Sequence, residues 1–167
     1  MKVFLDTNVI VSAVTTRGLC ADVFRAVLAE HELVTSTKVL GEVRRILKVK
    51  FAVSDKLSAE YIELIEEDSV LAEAGELPSL AIKDKDDVEI VAAAVAANAN
   101  VFVTGDREVQ GIKSVQETRI VSPREFWEEL TAQPGVVADL SRLQKRLSSQ
   151  SEKKKPVKRR RASAPGS

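Results

Sequence analysis

Asp6 follows the apolar run Val3-Phe4-Leu5 and is followed by Thr7-Asn8. The arrangement recurs far along the chain, where Val101-Phe102-Val103 leads into Thr104-Gly105-Asp106. Between the two lie Glu42 and Asp87, each inside a helical pattern. Open α/β sheets bind ligands beyond the carboxyl ends of their strands, so two strand ends each bring an aspartate to the same edge. Four carboxylates in a chain with one histidine and one cysteine suit a hard divalent cation, Mg²⁺ or Mn²⁺, better than zinc. Such a centre points to phosphate chemistry.

Each acid also has a plainer use. Asp6 can cap the helix that follows it, since aspartate is a favoured N-cap; alternatively its carboxylate is oriented for a ligand by Asn8 or Thr7. Asp106 can be a turn residue, with Gly105 permitting a tight bend. Asp87 precedes Ile90, Val91 and Val95 and so begins the inward stripe of its helix, while Asp84 and Asp86 fall on the solvent side or at the cap. Glu42 lies between Leu40 and Val43 and can pair with Lys38 or Arg45 one turn away. Glu108 is an outer ligand or a plain surface acid. Together the four weigh more than singly. Two charges 4 Å apart interact by about 4 kcal/mol at an effective dielectric near 20. Carboxylates that converge therefore need a cation or raised pKa values. One metal or two would satisfy them, and phosphodiester hydrolysis fits either arrangement.

The elements that must position these residues follow from periodicity. Lys2 to Leu5 reads as a buried strand, Asn8 to Val14 as a first helix, and residues 15–18 as a loop. Leu19 to Ala29 is amphipathic through Val23, Val27 and Leu28. Leu33 to Thr35 is a strand. Ser36 or Thr37 caps a helix running to about Lys48. Asp55 opens another, with Leu57, Tyr61, Leu64 and Ile65 in register. Ser69 to Ala72 reads as a strand, residues 73–80 as a loop, and residues 86–97 as a helix. Val101 to Val103 and Ile120-Val121 are the last strands, and Ser122-Pro123 opens a helix through Trp127 and Leu130. Strands separated by amphipathic helices predict an α/β fold, a mostly parallel sheet with helices on both faces.

The 44% apolar fraction supports a real core, and 167 residues suit one domain with an appendage. One cysteine excludes an intrachain disulfide and suits a reducing compartment. No signal-peptide pattern stands at Met1-Lys2, and the longest apolar stretch, residues 90–97, is too short for a bilayer. A soluble cytoplasmic protein without a membrane partner is expected. The net charge of zero conceals a division: residues 1–138 carry 15 Lys and Arg against 23 Asp and Glu, and residues 139–167 carry 10 against 2. Pro134-Gly135 marks the boundary. We expect a nuclease-type domain over 1–133, a helix or linker over 134–148 with Val137, Leu140, Leu143 and Leu147 in period, and a disordered basic tail over 149–167. Lys153, Lys154, Lys155, Lys158, Arg159, Arg160 and Arg161 are candidate RNA-binding residues of that tail; a merely solubilising tail is the plain alternative. Arg17 and Arg107 are candidate phosphate-steering residues or solvated charges. His31 is expected at a surface or helix cap, Cys20 as a small core filler, and Trp127 in the packing of the last helix.

Asp6-Thr7-Asn8-Val9, Glu42 within Val39-Leu40-Gly41-Glu42-Val43, Asp87 ahead of Ile90-Val91-Ala92-Ala93-Ala94, and Thr104-Gly105-Asp106 resemble the four acidic motifs of the PIN-domain family. The resemblance covers roughly residues 2–130 and is nearest to the toxin components of bacterial type II toxin–antitoxin systems. It implies a three-layer α/β/α sandwich with a mostly parallel central sheet and a metal-dependent endoribonuclease using Mg²⁺ or Mn²⁺. It also implies a homodimer and a cognate antitoxin that occludes the site. By motif, Asp6, Glu42, Asp87 and Asp106 become the catalytic, metal-binding quartet. Thr104 becomes the site-lining hydroxyl and Asn8 the supporting polar residue. The position two residues after the fourth acid, often aspartate in the family, is Glu108.

Two other classes stay open. A non-catalytic RNA- or protein-binding module would keep the fold without the chemistry. A phosphatase would use Asp6 as nucleophile, as haloacid-dehalogenase-like enzymes do, but their second aspartate falls where this chain has Asn8.

Overall fold

In the computed structural model, residues 1–76 and 79–132 are described. The expected linker, final helix and basic tail over 134–167 lie outside them. The order is β1 (Lys2–Leu5), α1 (Thr7–Thr15), α2 (Leu19–Glu30), β2 (Glu32–Ser36), α3 (Thr37–Phe51), α4 (Asp55–Glu67), β3 (Ser69–Ala72), α5 (Lys85–Ala96), β4 (Val101–Val103), α6 (Arg107–Ile112), β5 (Ser114–Val115), β6 (Thr118–Val121) and α7 (Pro123–Ala132). Six strands form one sheet in the order β3-β2-β1-β4-β6-β5. Every pairing is parallel except that of β5 with β6. This is the expected α/β architecture, a mostly parallel sheet flanked by helices.

The short apolar runs become central strands because both of their faces are covered. Val3, Phe4, Leu5, Val101 and Val103 are wholly buried. In register, Phe4 lies beside Phe102, their rings stacked with centroids 5.5 Å apart. Burying each ring stabilises the fold by about 2 kcal/mol. Leu5 is level with Val103, and the sheet ladder runs one step further through Asp6 N–H to Val103 O at 3.0 Å. Asp6 and Thr104 thus leave the sheet at the same height.

The strand order makes this edge the place where a site is expected. From β1 the chain moves outward through β2 to β3, then returns to β4 on the other side of β1 and continues outward to β6 and β5. The order reverses between β1 and β4, the kind of position at which open α/β sheets bind ligands beyond their strand ends. Helices α1 and α3 start within two residues of the strand ends that precede them and α6 after the three-residue link 104–106, so their positive N-terminal ends lie toward that edge.

Two elements were not anticipated, the six-residue α6 and the two-residue β5, which pairs antiparallel with β6. Gly105 does not adopt a positive φ, so the bend before Asp106 does not draw on glycine's freedom. Cys20 is half-buried rather than a core filler. Phe126 and Leu130 are buried, while Trp127 is half-buried. His31 ends α2 as its C-cap; both ring nitrogens are buried without a hydrogen-bond partner among the described residues, and the ring meets Phe126 edge-on at 6.4 Å.

Candidate active site

Asp6 caps α1 and is buried, with 6% of its surface exposed. Capping and site lining are therefore not alternatives here. Its Oδ1 accepts from Thr7 N–H at 2.7 Å, and its Oδ2 accepts from the fully buried Thr104 hydroxyl at 2.7 Å. One carboxylate thereby joins the ends of β1 and β4. Thr104 does more: its Oγ1 accepts from Asp106 N–H at 3.0 Å, and its carbonyl accepts from Gln110 Nε2 at 2.7 Å.

Asp106 caps α6. Its Oδ1 accepts from Glu108 N–H at 2.8 Å and Val109 N–H at 3.1 Å, which leaves Oδ2 outside the capping bonds. Glu42 is half-buried and accepts from the Thr7 hydroxyl at 2.8 Å through Oε2. The simple pairing of Glu42 with Lys38 does not occur. Lys38 reaches instead to Asp86 at 2.6 Å and Glu89 at 3.0 Å on α5. Asp84 caps α5 by accepting from Asp86 N–H. Asp87, half-buried in the first turn, has no hydrogen-bond or ion-pair partner among the described residues.

The electrostatics join the four acids. Burial lifts the Asp6 carboxyl above the usual range; the Thr104 and Thr7 bonds oppose that, and the charges of Glu42 and Asp106 add to it. Asp87 is pushed up to about 6, first by burial and then by Asp6, Asp84, Asp106 and Glu42. Asp6 and Asp87 thus lie close enough to the other acids to feel their charge. They do not yet share an ion: among the described residues, no three His, Cys, Asp or Glu side chains are arranged to hold a metal. The two findings are compatible because Coulomb repulsion reaches further than a ligand bond. Repelling carboxylates turn toward whatever donors are available, here Thr7, Thr104 and the α6 amides. The all-oxygen donor set fits Mg²⁺ or Mn²⁺, and the unpartnered Asp87 charge is what a cation would relieve.

The remaining predicted residues lie further out. Asn8 is exposed on α1, and the bond that steadies Asp6 comes from Thr7 instead. Glu108 is exposed in the first turn of α6. Arg17, in the loop after α1, and Arg107, the first residue of α6, are exposed and carry no ion pair among the described residues. Thr7 is more central than periodicity suggests, since it ties Asp6 to Glu42. Gln110 was not anticipated; only the helix that carries it brings it back to Thr104.

A PIN domain profile matches residues 2–108. No curated protein sequence matches the chain. Among solved structures, VapBC2 from Rickettsia felis bound to a DNA fragment from their promoter is similar. It has a TM-score of 0.52 and 16% identity, over 73% of this chain and 98% of that one. VapBC-1 from nontypeable Haemophilus influenzae is similar with a TM-score of 0.51 and 20% identity, over 74% of this chain and 99% of that one. At such identities the structures speak for the fold alone. The profile spans more than half of the chain, and the acids it includes stand at the switch point of the sheet: the chain belongs to the PIN-domain family.

Proposed function

We propose that the protein is a Mg²⁺- or Mn²⁺-dependent endoribonuclease of the toxin type, with Asp6, Glu42, Asp87 and Asp106 as its catalytic, metal-holding residues. The observation that carries this reading is the Thr104–Asp6 hydrogen bond that joins the ends of β1 and β4, with Asp106 two residues on and the charges of Asp6, Asp84, Asp106 and Glu42 acting on Asp87. A buried anionic pocket of this kind costs stability unless something uses it. The bound ion would neutralise the pocket and acidify the water that attacks the phosphodiester.

The chain's own residues do the rest. Thr7 and Thr104 fix both oxygens of Asp6, and Thr7 holds Glu42 in the same frame. The α6 cap holds Asp106 through one oxygen and leaves the other available. Below about pH 6 a proton on Asp87 would compete with the ion, so ion binding and proton release would be linked there. No covalent enzyme intermediate is needed. Asp6 is ill-suited to be a phosphatase nucleophile, because it caps α1 and Asn8 stands two residues on where such enzymes carry a second aspartate.

RNA is the proposed substrate, with Arg17, Arg107 and the basic run of 153–161 as phosphate contacts and Asn8, Thr104 and Glu108 as supporting residues. A cognate antitoxin and a second copy of the chain are proposed as protein partners. Exposed Val49, Phe51, Leu57 and Leu64 on α3 and α4 support a docking face. No helix among the described residues is long and apolar enough to cross a membrane, which is consistent with the proposed cytoplasmic site of action. The test is to incubate pooled RNA with wild type and Asp6→Asn in Mg²⁺, Mn²⁺ or EDTA and to map the cuts. Metal-dependent cleavage lost in Asp6→Asn supports the nuclease. RNA binding without cleavage by wild type would identify a binding module, and an aspartyl-phosphate trapped at Asp6 would identify a phosphatase.

A further inference from the structure

We infer that Lys38 is a positioning residue for the acidic centre: it clamps the helix that carries Glu42 to the helix that carries Asp87, and it withholds Asp86 and Glu89 from the ion. This rests on the proposed metal-dependent reading of the site. Lys38 is the second residue of α3, and Glu42 lies four residues later on the same helix face. Its ammonium reaches across to α5, meeting Asp86 Oδ1 at 2.6 Å and Glu89 Oε2 at 3.0 Å. Asp86 and Glu89 are three residues apart on α5, and Asp87 lies between them in sequence. One cation therefore fixes both ends of the turn that presents Asp87.

The geometry resolves a chemical difficulty. The start of α5 carries Asp84, Asp86, Asp87 and Glu89, four acids of nearly equal intrinsic affinity for a hard cation. Asp84 is occupied as the helix cap. Asp86 and Glu89 are occupied by Lys38. Asp87 alone is left unpartnered and feels the charges of Asp6, Glu42 and Asp106. Lys38 is also only 27% exposed, while its partners are about half exposed. It bridges two helices at the surface, held by two carboxylates of α5.

The sign of one measurement separates positioning from plain electrostatics. Removing a positive charge near a cation site strengthens cation binding if charge alone matters. If Lys38 acts by orienting Asp87 and Glu42, Lys38→Met weakens it instead. Outer residues that orient ligands typically change metal affinity by 10- to 100-fold. Mn²⁺ is titrated into the full-length protein, and the free ion is followed by electron paramagnetic resonance. We expect Lys38→Met to weaken Mn²⁺ binding by about tenfold, and Lys38→Arg to restore most of it. Asp86→Asn/Glu89→Gln, which breaks the clamp from the α5 side, should weaken binding as well. Combining it with Lys38→Met should add little, as expected of groups acting through one contact. Thermal melting of each variant, with no ion present, checks that the fold persists. Unchanged or tighter Mn²⁺ binding in Lys38→Met, with wild type binding normally, overturns the inference and leaves the nuclease reading standing. Wild type that binds no Mn²⁺ removes that reading and this inference with it.

Discussion

Under the proposed function protons and cations would compete for Asp87, and the direction of its shift sets what pH does to the protein. The folded carboxyl titrates near 6, against an ordinary value of 3.8. Between those values the folded chain holds a proton that the unfolded chain has lost, so acidification through this window stabilises the metal-free fold. At pH 7 the same group is charged and costs stability. Asp87→Asn should therefore raise the stability of the metal-free protein at pH 7 by about 1 kcal/mol, allowing for the screening of a half-exposed group. Urea midpoints in EDTA at pH 7 and pH 5 test this, since the gain must shrink at the lower pH. Mn²⁺ affinity should fall about tenfold per pH unit below 6, where a proton must be displaced. Thr104 carries the opposite kind of effect. Thr104→Val keeps the shape but strips Asp6 Oδ2 of its hydroxyl donor and Asp106 N–H of its acceptor. Two buried polar groups lose partners, so we expect a loss of about 2 kcal/mol in urea denaturation, with Thr104→Ser close to wild type.

Among the elements, α6 is capped by Asp106, to which the proposed function also gives a chemical duty, and a substitution can divide the two. Asparagine caps helices about as well as aspartate but lacks the charge. Asp106→Asn should keep the melting midpoint near wild type while RNA cleavage falls by at least two orders of magnitude. Asp106→Ala should lose both, at about 1 kcal/mol of stability. Equal melting losses in the two variants would show that the charge, not the cap, holds α6. That α6 was illegible in the sequence has a physical cause: six residues with Gly111 inside and only Val109 buried give no period to detect. The strand β5 is shorter still, and its pairing is defined only once β6 is in place. By contrast β1 and β4 were legible because a central parallel strand must be apolar on both faces, and each ends abruptly at a polar residue. The acids could be located, but not their partners. Lys38 meets Asp86 and Glu89 across 48 and 51 residues of chain, a contact that helical spacing cannot foresee; spacing offers Lys38 or Arg45 only as alternative partners of Glu42.

At the scale of the whole molecule, the charge division decides how a polyanion can approach. Residues 1–138 carry 15 bases against 23 acids, and the acidic crevice adds a local field of the same sign. RNA would be repelled by such a body in the absence of metal, so its capture must come from cations elsewhere in the chain. Lys153, Lys154, Lys155, Lys158, Arg159, Arg160 and Arg161 place seven positive charges within nine residues. Each phosphate they neutralise on a single strand contributes about 0.7 to the dependence of log affinity on log salt concentration. If the run engages RNA fully, replacing all seven by glutamine in the full-length chain should lower that slope by as much as about 5. Fluorescence anisotropy of a labelled single-stranded RNA, from low to physiological salt in EDTA, measures it without interference from cleavage. Cleavage at saturating RNA should change little, because none of the seven belongs to the acidic quartet, while cleavage at dilute RNA should fall with the affinity. A slope that stays at its wild-type value would mean that the run serves solubility alone, and the cations that bring RNA to the crevice would then have to be sought at Arg17, Arg107 and the exposed face of α3.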